Sequence, residues 1–120
     1  MPESLALLVA TEGGVPTAVD LLAGAVALEM TGHAYFTGPA VRWLAADGAG
    51  GAAPPADQGP AVLRRLRELR REGALHVYAC SQALAAQGLS PQSLSYVVDS
   101  TAGFAFFLSL ATEATLTMTL

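Results

Sequence analysis

Leu75-His76-Val77-Tyr78-Ala79-Cys80-Ser81-Gln82-Ala83-Leu84-Ala85-Ala86-Gln87-Gly88 is the stretch whose reading decides the fold. Leu75 to Ala79 is short and rich in aliphatic and aromatic residues, so it reads as a strand. Cys80-Ser81 turns the chain into a run that reads as a helix to about Gln87, and Gly88 closes it. A strand passing directly into a helix belongs to a βαβ unit.

The same grammar extends in both directions. Upstream, Leu5 to Ala10 is a continuous apolar run, the mark of a central parallel strand buried on both faces. Thr11 to Gly14 is a turn, and Val15 to Met30 reads as a helix with Pro16 in its first turn and Thr31-Gly32 ending it. His33 to Thr37 is a second strand, Gly38-Pro39 breaks it, and Ala40 to Ala46 reads as a short helix. Asp47 to Pro60, rich in glycine and proline, reads as a flexible loop. Ala61 to Glu72 is a helix with Val62, Leu63, Leu66 and Leu69 toward the core, and Gly73 ends it. Downstream, Leu94 to Val98 reads as a fourth strand. Asp99-Ser100-Thr101 reads as the cap of a helix running to about Leu110. Ala114 to Leu120 alternates and reads as a fifth strand. Strand and helix alternate throughout, which predicts an α/β chain with a mostly parallel five-stranded sheet and helices on both faces.

The bulk numbers set bounds. A chain of 120 residues suits one domain spanning positions 1 to 120. At 52% hydrophobic and 13% charged residues it is not a disordered chain, and some of its apolar surface is expected to be covered by other subunits. A net charge of -4 argues against general binding to nucleic acid or anionic membranes. No apolar run approaches the twenty or so residues of a membrane span, and no signal peptide is visible, so a cytoplasmic location is expected. One cysteine excludes an internal disulfide framework. All six positive residues are arginines, so Schiff-base and P-loop lysines are excluded. One cysteine and two scattered histidines give no metal-ligand spacing, and no cofactor motif is present.

In an open parallel sheet, ligands bind beyond the carboxyl ends of the strands. The predicted ends deliver Thr11, Glu12 and Gly13, then Thr37, then Cys80 and Ser81, then Asp99, Ser100 and Thr101. Cys80 is the sharpest candidate. A helix start offers free amides and partial positive charge, which favour the thiolate nucleophile. A small buried hydrophobe is the plain alternative. His76 is four residues away, roughly 13 Å along an extended strand, and is a poor partner for the thiol. It reads as a core or interface histidine, and His33 lies at the amino-terminal end of the sheet. Thr11 to Gly14 reads as a plain turn, with anion binding as its alternative. Glu12 and Asp99 read as turn or capping residues, with a carboxylate pair as the alternative. The arginines of the 61–72 helix, interleaved with Glu68 and Glu72, read as a solvated face, with an acidic partner as the alternative.

The segment Val77 to Leu89 resembles the cysteine motif of the DsrE/DsrF/TusD-like family: strand, small residue, cysteine, short helix, then glycine and an aliphatic residue. Leu8-Val9-Ala10-Thr11 resembles that family's first strand. Gly32 to Leu44 is similar to its second strand and following helix, and Thr101 to Leu108 to its penultimate helix. The resemblance implies a flavodoxin-like three-layer domain and a homotrimer or homohexamer. For the sulfur-relay branch it implies a cysteine that carries sulfur as a persulfide between donor and acceptor proteins. Cys80 matches that cysteine, which makes the chain a candidate sulfur carrier or sulfurtransferase. The competing expectation is a non-catalytic oligomeric module that binds a nucleotide or small anion at the strand-end rim.

Overall fold

The computed structural model describes residues 3–45 and 59–120. Its elements are β1 (Ser4–Val9), α1 (Val15–Ala27), β2 (Thr31–Phe36), a 3-10 helix (Gly38–Leu44), α2 (Gly59–Glu72), β3 (Leu75–Cys80), α3 (Ser81–Ala86), a 3-10 turn (Pro91–Ser93), β4 (Ser100–Ala102), α4 (Phe104–Glu113) and β5 (Leu116–Thr119). The five strands form one all-parallel sheet in the order β4-β3-β2-β1-β5. The layers are of the flavodoxin kind, although the flavodoxin strand order is 2-1-3-4-5.

The apolar run of the first strand is central because both of its faces are covered. Leu5, Leu7 and Val9 point to one face, and Ala6 to the other, all buried. On the first face lies α1, whose buried residues Val15, Ala18, Val19, Leu22 and Ala25 follow helical spacing. Leu22 packs so closely on β2 that a methyl at Gly32 would sit 3.1 Å from it. Beside α1 runs α2, with Leu63, Leu66 and Leu69 buried. Among the described residues the opposite face is crossed by α4 alone, which carries the chain from β4 at one edge to β5 at the other. Phe104 and Phe107 lie on Tyr35, with ring centroids 5.9 and 5.6 Å apart, and Phe106 meets Tyr78 edge-on at 4.7 Å. A ten-residue helix is about 15 Å long, too short to cover the whole face. The half of the face near the strand starts is left to His33 and His76, both half-buried.

Several boundaries differ from the sequence reading, each for a local reason. The first helix ends at Ala27 rather than Met30, because Glu29 adopts a left-handed φ of 60° and the Met30 amide donates back to the Ala25 carbonyl at 2.8 Å. The helix expected over 40–46 is the 3-10 helix Gly38–Leu44. Of the loop expected over 47–60, residues 47–58 lie outside the described residues, and Gly59-Pro60 already belong to α2.

The largest correction concerns the fourth strand. Leu94 to Val98 is not a strand of the sheet; Leu94 makes an isolated antiparallel bridge to Ala45. Its apolarity reflects burial, since Val97 is fully enclosed in the core and its carbonyl accepts from Arg70 Nη1 at 2.8 Å instead of joining a ladder. The strand is Ser100–Ala102, so Asp99, Ser100 and Thr101 do not cap the last helix. Gly103 precedes that helix, which starts at Phe104. Polar residues suit this strand because it is an exposed edge.

Candidate functional site

The chain leaves β3 at Cys80 and enters α3 at Ser81, so the sulfur stands at the carboxyl edge of the sheet. The neighbouring strand, β2, sends two hydroxyls toward it. Tyr35 lies within β2 and Thr37 just after it, two residues apart and therefore on one face. Thr37 is fixed on both sides. Its amide donates to the Val9 carbonyl at 2.9 Å, and Gly38 then turns with φ of 56°, where an added methyl would crowd the Ala10 carbonyl at 3.1 Å. Only glycine takes that turn without strain.

Cys80 is 1% exposed and Tyr35 0%, with Thr37 at 8%. Burial pushes the Cys80 thiol up. Hydrogen bonds from the Thr37 hydroxyl, the Tyr35 hydroxyl and the Ala83 and Gln82 amides outweigh it, and the thiol lies below its ordinary value. The same contact has the opposite sign on the phenol. Burial first, then the hydrogen bond to Cys80 and its charge, hold Tyr35 well above the usual tyrosine range. The phenol hydrogen itself is donated to the Ala102 carbonyl at 2.8 Å. The sulfur is enclosed and belongs to the buried hydrophobic cluster of the domain.

The other predicted rim residues do not gather at this point. Thr11 Oγ1 accepts from the Gly14 amide at 3.0 Å, which makes Thr11 to Gly14 a self-contained turn. A methyl at Gly14 would meet the Leu120 backbone at 2.8 Å, so the turn is closed against the chain beside it. The carboxylate of Glu12 is engaged by Arg42, whose Nε donates at 2.7 Å. Gly13 has open space beside it. Ser81 is exposed at the first position of α3.

Asp99 lies level with Val77, before β4 begins. It accepts the Val77 amide at 2.7 Å and pairs with Arg70 at 2.5 Å. Glu12 and Asp99 are therefore not a carboxylate pair; each is joined to its own arginine. Asp99, Ser100 and Thr101 line a cleft of about 330 Å³ with Tyr96 and Pro91, on the outer side of β4. Three strand spacings, roughly 14 Å, separate β4 from β1. The single rim expected from the sequence is thus split.

The arginines of α2 are mostly exposed, with Arg65 near Glu68 at 3.9 Å and Arg67 stacked 5.7 Å over Tyr96. His33 and His76 stack together toward the strand starts, at the other end of the sheet from the thiol. No metal-holding cluster of histidine, cysteine and carboxylate occurs among the described residues. None of their helices is long and apolar enough to cross a membrane.

Sequence reasoning missed Tyr35, which it placed in a strand without a role. Its signal was the spacing to Thr37 on one face; the register that brings this face to Cys80 is not written in any single segment.

The fold is shared with solved structures of low sequence identity. The crystal structure of ychN protein from E. coli is 13% identical, with full coverage of both chains and a TM-score of 0.71. A protein of unknown function, MTH1491 from Methanobacterium thermoautotrophicum, is 17% identical over 98% of this chain and 99% of its own, with a TM-score of 0.72. Comparison with curated proteins gives no match. The model of the DsrE/DsrF-like family matches residues 6–119, which is nearly the whole chain, and the protein belongs to that family.

Proposed function

We propose that the protein is a sulfur carrier or sulfurtransferase in which Cys80 holds a persulfide. The observation that carries this reading is the surroundings of the sulfur. Thr37, Tyr35 and the start of α3 share its face and edge of the sheet, and hydrogen bonding there holds the thiol below its ordinary value in spite of burial. An inert core cysteine is surrounded by apolar groups, which raise the thiol and silence it. Membership of a family associated with sulfur relay supports the same reading.

The chemistry is thiolate exchange. The Cys80 thiolate attacks the outer sulfur of a donor persulfide. The donor S–S bond breaks, the donor leaves as a thiolate, and Cys80 carries the sulfane sulfur as a persulfide. An acceptor thiolate then attacks that outer sulfur, and Cys80 departs as a thiolate. Each step exchanges one S–S bond for another, so no external oxidant or reductant is required. Thr37, Tyr35 and the α3 amides stabilise the anion that begins and ends the cycle.

The exposed apolar residues Phe104, Phe106 and Leu108 on α4, with Leu116 and Met118 on β5, support assembly as a homotrimer or homohexamer. Intact mass spectrometry after incubation with a persulfide donor tests the carrier role. The wild type is expected to gain one sulfur and Cys80→Ser none. A wild type that gains none ends the proposal.

A further inference from the structure

Five of the chain's six arginines lie on α2 with two glutamates, so this helix carries a formal +3 in a chain of net -4. Arg70 is committed. Its Nη1 donates to the Val97 carbonyl at 2.8 Å and its Nη2 pairs with Asp99 at 2.5 Å, which pins the 96–99 segment against the helix. That places Tyr96, 71% exposed, beside Arg67, whose guanidinium lies 5.7 Å over the ring. Arg67, Arg70, Arg71 and Tyr96 line a cavity of about 270 Å³. We propose that this cavity binds a small phosphate ester carrying a flat ring, of mononucleotide size, with Arg67 and Arg71 holding the phosphate and Tyr96 the ring. None of its residues belongs to the Cys80 site, and the proposal does not rest on the carrier reading.

Two of these guanidiniums are uncommitted. Among the described residues the ion pairs of α2 are Arg65 with Glu68 and Arg70 with Asp99, and neither Arg67 nor Arg71 joins one. Four residues apart, Arg67 and Arg71 stand one above the other on one side of the helix. Glu68 and Glu72 each stand one residue, about 100°, further round, on the side of Arg65. The carboxylates interleaved in the sequence are thus absent from the cavity lining. Arginines in a last turn also suit the helix dipole, but that role calls for neither an exposed ring nor a cavity.

Guanidinium is the group that suits phosphate, since it is always charged and presents paired N–H donors in a fixed fork. Two forks one helical turn apart, about 6 Å along the axis, can grip one phosphate from two sides. Arg67 can do so with its edge while its plane stays on the Tyr96 ring. A flat ring laid against Tyr96 extends that stack, as bases do on exposed aromatic side chains. The volume sets the size, because small-molecule cavities begin near 300 Å³, which favours a mononucleotide over a dinucleotide. Tyr96 also lines the cleft of about 330 Å³ outside β4, so a ligand larger than phosphate has adjoining space.

Titration of the whole chain with AMP, UMP, inorganic phosphate and adenosine, followed by amide and arginine Nε–H NMR shifts, tests the site. At least one mononucleotide is expected to bind with a Kd of about 1 mM or below, and phosphate and adenosine each about tenfold more weakly. Arg67→Gln and Arg71→Gln each weaken the mononucleotide about tenfold, the scale of a lost charge-assisted bond. Tyr96→Ala weakens the mononucleotide and leaves phosphate unchanged. Arg65→Gln, on the far side of α2, and Cys80→Ser bind as the wild type does. The spectra report the fold of each variant. Binding of neither AMP nor UMP, or binding that survives Arg67→Gln with Arg71→Gln, overturns the site. A tetraglutamate peptide that binds the same arginines more tightly than the mononucleotides overturns the phosphate-ester class in favour of an acidic protein partner. A chain that binds the mononucleotide yet takes no sulfur keeps this site and ends the carrier reading. A chain that takes sulfur yet binds no mononucleotide ends this site alone.

Discussion

His33 and His76 stand at matching positions on β2 and β3, and their rings stack with centroids 5.2 Å apart and planes inclined by 20°. Tyr78 extends the stack, its hydroxyl 3.4 Å from His33 Nδ1. Burial first, and the charge of His76 second, hold His33 below its ordinary value. Near that value of about 6.5 the unfolded chain therefore binds more protons than the folded one. Stability is full above it and falls as pH drops toward the depressed folded value. Denaturant unfolding at about pH 8 and pH 5.5 is expected to show a lower midpoint at the acid end. His33→Phe keeps the ring stack and shrinks that difference; an unchanged difference would show that His33 is not its source.

The hydroxyl of Thr37 is the largest of the hydrogen-bonding influences that lower Cys80. Thr37→Val removes the donor while keeping the shape. The thiolate titration, followed by ultraviolet absorbance, is expected to move upward, and alkylation at neutral pH to slow by about three- to tenfold. Thr37→Ser restores the donor and should bring both back. Equal loss in the two variants would mean that Thr37 acts through packing.

Gly13 and Gly14 are neighbours with opposite tolerance. A methyl at Gly13 meets nothing within 4 Å, whereas one at Gly14 meets the Leu120 backbone at 2.8 Å and its Cβ at 2.9 Å. Gly14→Ala is expected to cost about 1–3 kcal/mol, the scale of overpacking a closed site. Gly13→Ala should stay within about 0.5 kcal/mol of the wild type. Thermal or denaturant unfolding of both variants checks the contrast, which fails if the two behave alike.

Exposed apolar residues on α4 invite burial. Phe104 is 46% and Leu108 63% exposed. Sedimentation analysis is expected to show a species several times the 12.3 kDa chain, and Leu108→Glu to shift it toward the monomer. A monomeric wild type at high concentration would count against assembly through this face.

Much of the architecture was legible in residue order. The apolar run at Leu5 to Ala10 marked the central strand, and Leu63, Leu66 and Leu69 marked the buried stripe of α2. The fourth strand was misread because burial and extension leave the same apolar trace. Val97 is buried as a plug, while the exposed edge strand Ser100–Ala102 carries the polar residues that resemble a cap. At the site, Cys80 and Thr37 were legible as strand ends, and Tyr35 was not, since its role depends on β2 lying beside β3.

The sequence by itself determined the alternation of strands and helices, the placement of one cysteine where a strand becomes a helix, and the absence of lysine chemistry. These are local matters of periodicity, turn residues and composition. Tertiary structure decided which strands are neighbours. It thereby decided that Tyr35 and Thr37 share a sheet face and edge with Cys80, while Glu12 and Asp99 are taken by Arg42 and Arg70. Side-chain encounters between distant segments follow from strand order and register, which packing of the whole chain selects and no single segment encodes.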